Sequence, residues 1–323
     1  MSALITTTRL ARTLGLAAAL LLASTAPAIA EPVFRTLTLS DPAGAPIEVG
    51  VWMPEETDPT RSYPLIVMSH GNGGWFRSAS DTAVALAEAG FVAAALTHTG
   101  DNWRDQSKAI DMPDRTRQLG LLIDHMVVGG AAPVKVDADR IGAFGFSAGG
   151  FTVLAIAGAE ADPDAIARHC GQDRRFYECQ MIAQRPQADR VWGDWRRDSR
   201  VKAIVSAAPA LGYAFTPDSL AAMAIPVQLW RGSEDQVLPS PHYVEPVRDG
   251  LGGRADYRVA EGAGHFDFLP VCDDALTRAA PQICTPTPGF DRAAFRSAFN
   301  TEVVAFFTRT LTARTDHAAQ PMP

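Results

Sequence analysis

Short runs rich in Val, Ile and Ala alternate along this chain with longer stretches whose apolar residues recur every three to four positions. The short runs predict strands at Val33–Leu39, Ile47–Met53, Leu65–Ser69, Val92–Leu96, Arg140–Phe146, Val201–Ala207, Val227–Trp230 and Tyr257–Ala260. The longer ones predict helices at Thr82–Ala89, Asp114–Val128, Ala148–Ala157, Pro241–Leu251 and Arg292–Thr310, with Gly90 and Gly252 as stop signals. This alternation is the mark of a mostly parallel sheet covered by helices on both faces.

Residues 159–200 break the alternation. They carry acids and bases in equal number and scatter Phe176, Tyr177, Trp192 and Trp195 among arginines. They read as an inserted cap without regular structure, lying over the carboxyl edge of the sheet, where open α/β folds place their ligands. The first thirty residues read as a secretory signal, with Arg9 and Arg12 before an apolar run from Leu14 to Leu22 and cleavage after Ala30. The expected product is an exported, periplasmic or extracellular single domain over 31–323, with no stable membrane anchor. Removing Arg9 and Arg12, the only charged residues of that leader, takes the formal charge from −7 to −9, which argues against nucleic acid as partner. Three pairings of the four cysteines are possible. Cys170 with Cys179 and Cys272 with Cys284 are favoured, because each closes a short polar excursion at about 3 kcal/mol of loop-closure entropy. No CxxC or HxxxH spacing points to a metal.

Chemistry enters at Ile141 to Gly150, where an apolar strand runs into Gly145-Phe146-Ser147-Ala148-Gly149 and then a helix pattern. Such a turn strains the serine backbone, brings its neighbours close enough to demand glycine, and lifts the hydroxyl above the sheet. A serine hydroxyl needs a histidine to take its proton and an acid to hold that histidine's tautomer. With the serine on such an elbow the acid follows it in the chain, and the histidine follows the acid. Asp235 occupies the turn after the strand ending at Trp230, with Glu234 as competitor; the Gly-x-x-Asp spacing followed by Pro239 favours Asp235. His265 stands after the last strand in a glycine-bracketed loop. The tetrahedral intermediate needs two oxyanion donors, and the natural pair is the N–H of Ala148 with that of Asn72, in the turn His70-Gly71-Asn72-Gly73-Gly74. Trp75, Phe76 and Trp103 follow strands at the same edge and are candidates to line a substrate pocket.

These residues resemble bacterial proteins similar to the dienelactone hydrolases and the platelet-activating-factor acetylhydrolases. The likeness rests on Met68 to Gly74, Gly145 to Gly150, Gly232 to Pro239 and Gly264-His265, and the cap with Cys170 and Cys179 is typical of secreted members. The resemblance implies an α/β-hydrolase fold and a serine esterase without cofactor, acting on a small-molecule or lipid-like ester. Two departures narrow it: dienelactone hydrolases use a cysteine where Ser147 stands, and the acetylhydrolases draw their acid from the strand after the elbow, where Val201 to Ala208 offers none. The alternatives are a prolyl-oligopeptidase-like peptidase, for which no propeller-sized segment exists, and a non-catalytic binding protein on a hydrolase scaffold, which would have lost a triad member.

Overall fold

A computed structural model of the chain describes residues 31–128, 134–184 and 195–311. The proposed signal segment, Trp192 and the last twelve residues lie outside these stretches. Eight strands form one sheet: β1 (Val33–Leu39), β2 (Ile47–Met53), β3 (Tyr63–Ser69), β4 (Val92–Leu96), β5 (Val136–Phe146), β6 (Val201–Ala207), β7 (Val227–Gly232) and β8 (Asp256–Ala260). Their order is β1-β2-β4-β3-β5-β6-β7-β8, antiparallel at β1·β2 and β2·β4 and parallel from β4 onward.

The helices are α1 (Ser80–Glu88), α2 (Met112–Val127), α3 (Ala148–Ile156), α4 (Pro163–Gln172), α5 (Tyr177–Ala183), α6 (Pro217–Ala222), α7 (Val244–Gly250), α8 (Asp274–Ala279), α9 (Pro281–Cys284) and α10 (Arg292–Leu311). The two-residue period of the strands sends alternate side chains into two cores. Val49, Val67, Ala143, Ile204 and Leu229 meet Leu119 and Leu122 of α2, Phe151 and Leu154 of α3 and Val247 of α7. Ile66, Met68, Phe144, Val205 and Trp230 meet Leu86 of α1 and Phe299, Val303 and Phe307 of α10. Among the described residues no helix is long and apolar enough to cross a membrane.

Besides the short helices α6, α8 and α9, which the sequence pattern does not predict, the structure departs from it at three places with a visible cause. Strand β5 begins at Val136, four residues before Arg140, because a partly exposed Asp137–Asp139 extension precedes the apolar run and Val136 pairs with Tyr63. Helix α7 begins at Val244, after a turn closed by His242 N–H on the Pro239 carbonyl, so Pro241 to Tyr243 are not helical. The insertion expected to be irregular holds two helices. Asp162 caps α4 by accepting from Asp164 N–H, and Ala165, Ile166 and His169 bury one face of it. Cysteines 170 and 179 form a disulfide joining α4 to α5, and Cys272–Cys284 ties the loop before α8 to the end of α9.

Candidate active site

The carboxyl ends of β3, β5, β6, β7 and β8 bring their loops to one edge, with Ser147 at its centre, directly after β5. Ser147 has φ 57° and ψ −118°, a left-handed backbone that an L residue adopts only under compulsion. The compulsion is visible. A Cβ on Gly145 would stand 2.0 Å from the Gly149 carbonyl oxygen, and one on Gly149 would stand 1.9 Å from that of Ser69. The turn is further held by Ser147 N–H donating to the Ala207 carbonyl at 2.9 Å and Ala210 N–H donating to that of Ser147 at 3.0 Å.

Nε2 of His265 lies 3.1 Å from Ser147 Oγ, and its Nδ1 lies 2.7 Å from Asp235 Oδ2. All three side chains are buried. The other Asp235 oxygen accepts from Val237 N–H at 2.9 Å and Leu238 N–H at 2.7 Å, so the carboxylate is held by its own turn and offers one oxygen to the imidazole. An accepting carboxylate places the proton on Nδ1, leaving Nε2 bare toward the serine hydroxyl. Glu234, the competing acid, is exposed and makes no hydrogen bond to His265 among the described residues.

His265 opens a short 3₁₀ turn whose shape depends on Asp267. That carboxylate, 1 % exposed, accepts from Gly264 N–H at 2.8 Å and from Arg292 Nε at 3.1 Å. Arg292 also donates to the carbonyls of Ile283 and Thr285. The imidazole loop is thereby riveted to the disulfide-closed segment and to the start of α10.

On the opposite side, residues 71–74 form a β-turn closed by Gly74 N–H on the Gly71 carbonyl at 3.1 Å, with Gly73 at φ 69°. A turn with positive φ at its third position takes glycine there. A Cβ at Gly71 would lie 3.3 Å from that of Ser147, so the turn abuts the serine. Neither Asn72 N–H nor Ala148 N–H has an acceptor among the described residues. Both amides are therefore available to an incoming oxygen.

Beneath this turn lies a buried network that sequence reasoning missed. Arg115 of α2 donates to Asp101 at 2.5 Å, to Thr152 Oγ1 at 3.1 Å, to Ser69 Oγ at 3.3 Å and to the His70 carbonyl. Asp101 Oδ1 in turn accepts from Gly73 N–H and from the Asn72 side-chain amide. His70 and His98 complete the layer: His98 N–H donates to His70 Nε2 at 3.0 Å, and Ser69 Oγ lies 2.8 Å from His98 Nε2. Burial, reinforced by the Arg115 charge, drives the His70 imidazole down to about 3 and that of His98 well below its ordinary value, so both are neutral. The available signal was Arg115 itself, a charge at an inward position of an amphipathic helix.

The aromatic candidates separate. Trp75 and Phe76 line a small cavity with His70, Gly71, Phe146 and Phe268 beside the 71–74 turn, and Phe76 packs on Trp52 and Phe34 in the core. Trp103 is outside that cavity, 58 % exposed, beneath the Arg104 guanidinium. The insertion does reach the site, because Tyr177 donates to Asn72 Oδ1 at 2.9 Å. Among the described residues no cluster of three His, Cys, Asp or Glu side chains is placed to hold a metal ion.

Residues 42–115 match the family described as platelet-activating factor acetylhydrolase, isoform II. A protein of Escherichia coli K12 described as the uncharacterized protein YcjY is 34% identical over 109 residues, 32% of this chain; the match spans about a third of that relative, 34% of its length. A ferulic acid esterase from Streptomyces cinnamoneus superposes with a TM-score of 0.60 at 18% identity, over 93% of this chain and 96% of its own. A dienelactone hydrolase-like promiscuous phosphotriesterase from metagenomic libraries superposes with a TM-score of 0.55 at 19% identity, over 87% and 99%. The chain has the α/β-hydrolase fold.

Proposed function

We propose that this protein is an exported serine esterase that cleaves carboxylic esters through an acyl-enzyme. The observation that carries the reading is the hydrogen-bonded line from Ser147 Oγ through His265 to Asp235, with the serine on a strained elbow between two free amides. Export is supported by the two disulfides, which persist in oxidising compartments.

In the first half-reaction the ester carbonyl sits with its oxygen toward the amides of Asn72 and Ala148. Ser147 Oγ attacks the carbonyl carbon as His265 Nε2 takes the hydroxyl proton. The oxygen gains negative charge, which the two amides and the start of α3 stabilise, and Asp235 stabilises the imidazolium by holding Nδ1–H. Collapse breaks the bond to the alcohol, which leaves with the proton from Nε2. Water then repeats the sequence on the acyl-serine, releasing the acid and restoring Ser147.

The test is direct. Ser147→Ala is expected to remove turnover of p-nitrophenyl acetate and labelling by a fluorophosphonate, with circular dichroism unchanged. Full activity in that variant, or a wild type that takes no label, overturns the reading.

A further inference from the structure

Two consecutive residues of the insertion grip loops on opposite sides of the serine. Tyr177 bonds to Asn72 in the loop after β3, and Glu178 accepts from Tyr213 Oη at 2.8 Å, in the loop after β6, and from Tyr243 Oη at 2.9 Å, just beyond the β7 loop. Strand β5 runs between β3 and β6, and Ser147 stands at its end. Neighbouring residues are only 3.80 Å apart at Cα. The first turn of α5 therefore straddles the elbow as a strap. Its second grip is firm, since Glu178 is buried with His169 stacked on Tyr213, and the Cys170–Cys179 disulfide follows at the next residue.

We propose that Tyr177 is a positioning residue for the oxyanion turn, so that the insertion takes part in the chemistry through Asn72. The inference rests on the esterase reading. The start of the turn is fixed from below, because the His70 carbonyl accepts from Arg115 and the Gly71 carbonyl lies 2.6 Å from His70 Nδ1. Its apex is held differently. Gly73 N–H and the Asn72 side-chain amide both end on one atom, Asp101 Oδ1, at 3.0 and 2.8 Å. Two bonds to one atom make a pivot, about which the Asn72–Gly73 segment can tilt. The phenol of Tyr177 takes the remaining end of the Asn72 amide at 2.9 Å and supplies a second, separate attachment. With both ends held, the Asn72 backbone N–H keeps its aim at the carbonyl oxygen while charge develops there. The hydroxyl neither touches the reacting atoms nor transfers a proton.

An aim that matters chiefly in the transition state shows in kcat rather than KM. Tyr177→Phe keeps the ring and loses the bond to Asn72. It is expected to lower kcat on p-nitrophenyl acetate about tenfold, part of the 10²–10³ that removal of a whole oxyanion donor costs, with KM within about twofold. In an Asn72→Ala background the same substitution is expected to cost nothing further, because the bond is already gone. The melting temperature of Tyr177→Phe, measured alongside, is expected to stay near that of the wild type, since Tyr177 is 45 % exposed. A Tyr177→Phe enzyme with wild-type kcat, a loss shared equally between kcat and KM, or the same loss in the Asn72→Ala background overturns the proposal. Fluorophosphonate labelling of the wild type separates the two readings. A labelled, active wild type with an unaltered Tyr177→Phe sinks the positioning role alone, and an unlabelled, inactive wild type sinks both.

Discussion

At the scale of single residues, the candidate site is built from buried charged and titratable groups. Asp235→Asn preserves shape but presents an amide that favours the wrong imidazole tautomer. Turnover is expected to fall about 10³–10⁴-fold near neutral pH, measured as kcat on p-nitrophenyl acetate. Asp101→Ala leaves Arg115 charged and unpaired in the interior, where burial already opposes its protonated form. A loss of about 3–5 kcal/mol in urea unfolding is expected, together with a loosened oxyanion turn. Burial also pushes His70 to about 3 and His169 to about 4. In the unfolded chain these imidazoles take up protons near 6.5, so below that pH the unfolded state binds more protons than the folded one. Their contribution is whole above pH 6.5 and drains away as pH falls toward 4, which urea midpoints at pH 7, 6 and 5 would record as a steady decline. Ser147 and His265 stand out in the sequence because glycines bracket their loops, and Asp235 because Gly232 and Pro239 flank its turn. Arg115 and Asp101 have no such bracket, and only three-dimensional proximity reveals that one guanidinium serves the turn after β3 and the loop after β4 together.

At the scale of elements, the strand-to-helix elbow has no room to adapt. Gly149→Ala sets a methyl group 1.9 Å from a backbone oxygen of β3, so relief requires moving a central strand. At least about 3 kcal/mol of destabilisation is expected, or failure to recover folded protein, judged by thermal melting. The inner strands were legible because runs buried on both faces are apolar throughout, as in β4 and the second half of β5. The polar start of β5 was not, since a strand end that pairs at one residue needs no apolar side chains. Within the insertion, Asp162-Pro163 and the buried spacing of Ala165, Ile166 and His169 are ordinary helix signals, masked by the density of arginines around them. No sequence rule gave Tyr177 its place beside Asn72, 105 positions away in the chain.

At the scale of the whole molecule, the two disulfides differ in setting: Cys179 is buried and Cys170 packs against the first core, whereas Cys272–Cys284 closes the segment that holds α8 and α9. Replacing Cys272 and Cys284 together by Ser is expected to cost about 2–4 kcal/mol by chemical denaturation, and kcat should suffer with it. The second effect arises because Arg292 bonds the Ile283 and Thr285 carbonyls as well as Asp267 beneath His265. That linkage also orders events during folding. Ser147 precedes His265 by 118 positions in the chain, and the loop of His265 has its Arg292 anchor only once the head of α10 is in place. Helix α10 in turn covers β5 and β6 through Phe299, Val303 and Phe307, so one face of the strand that leads to Ser147 stays bare until then. In the esterase reading, the serine thus stays idle until α10 has docked and the loop of His265 is seated.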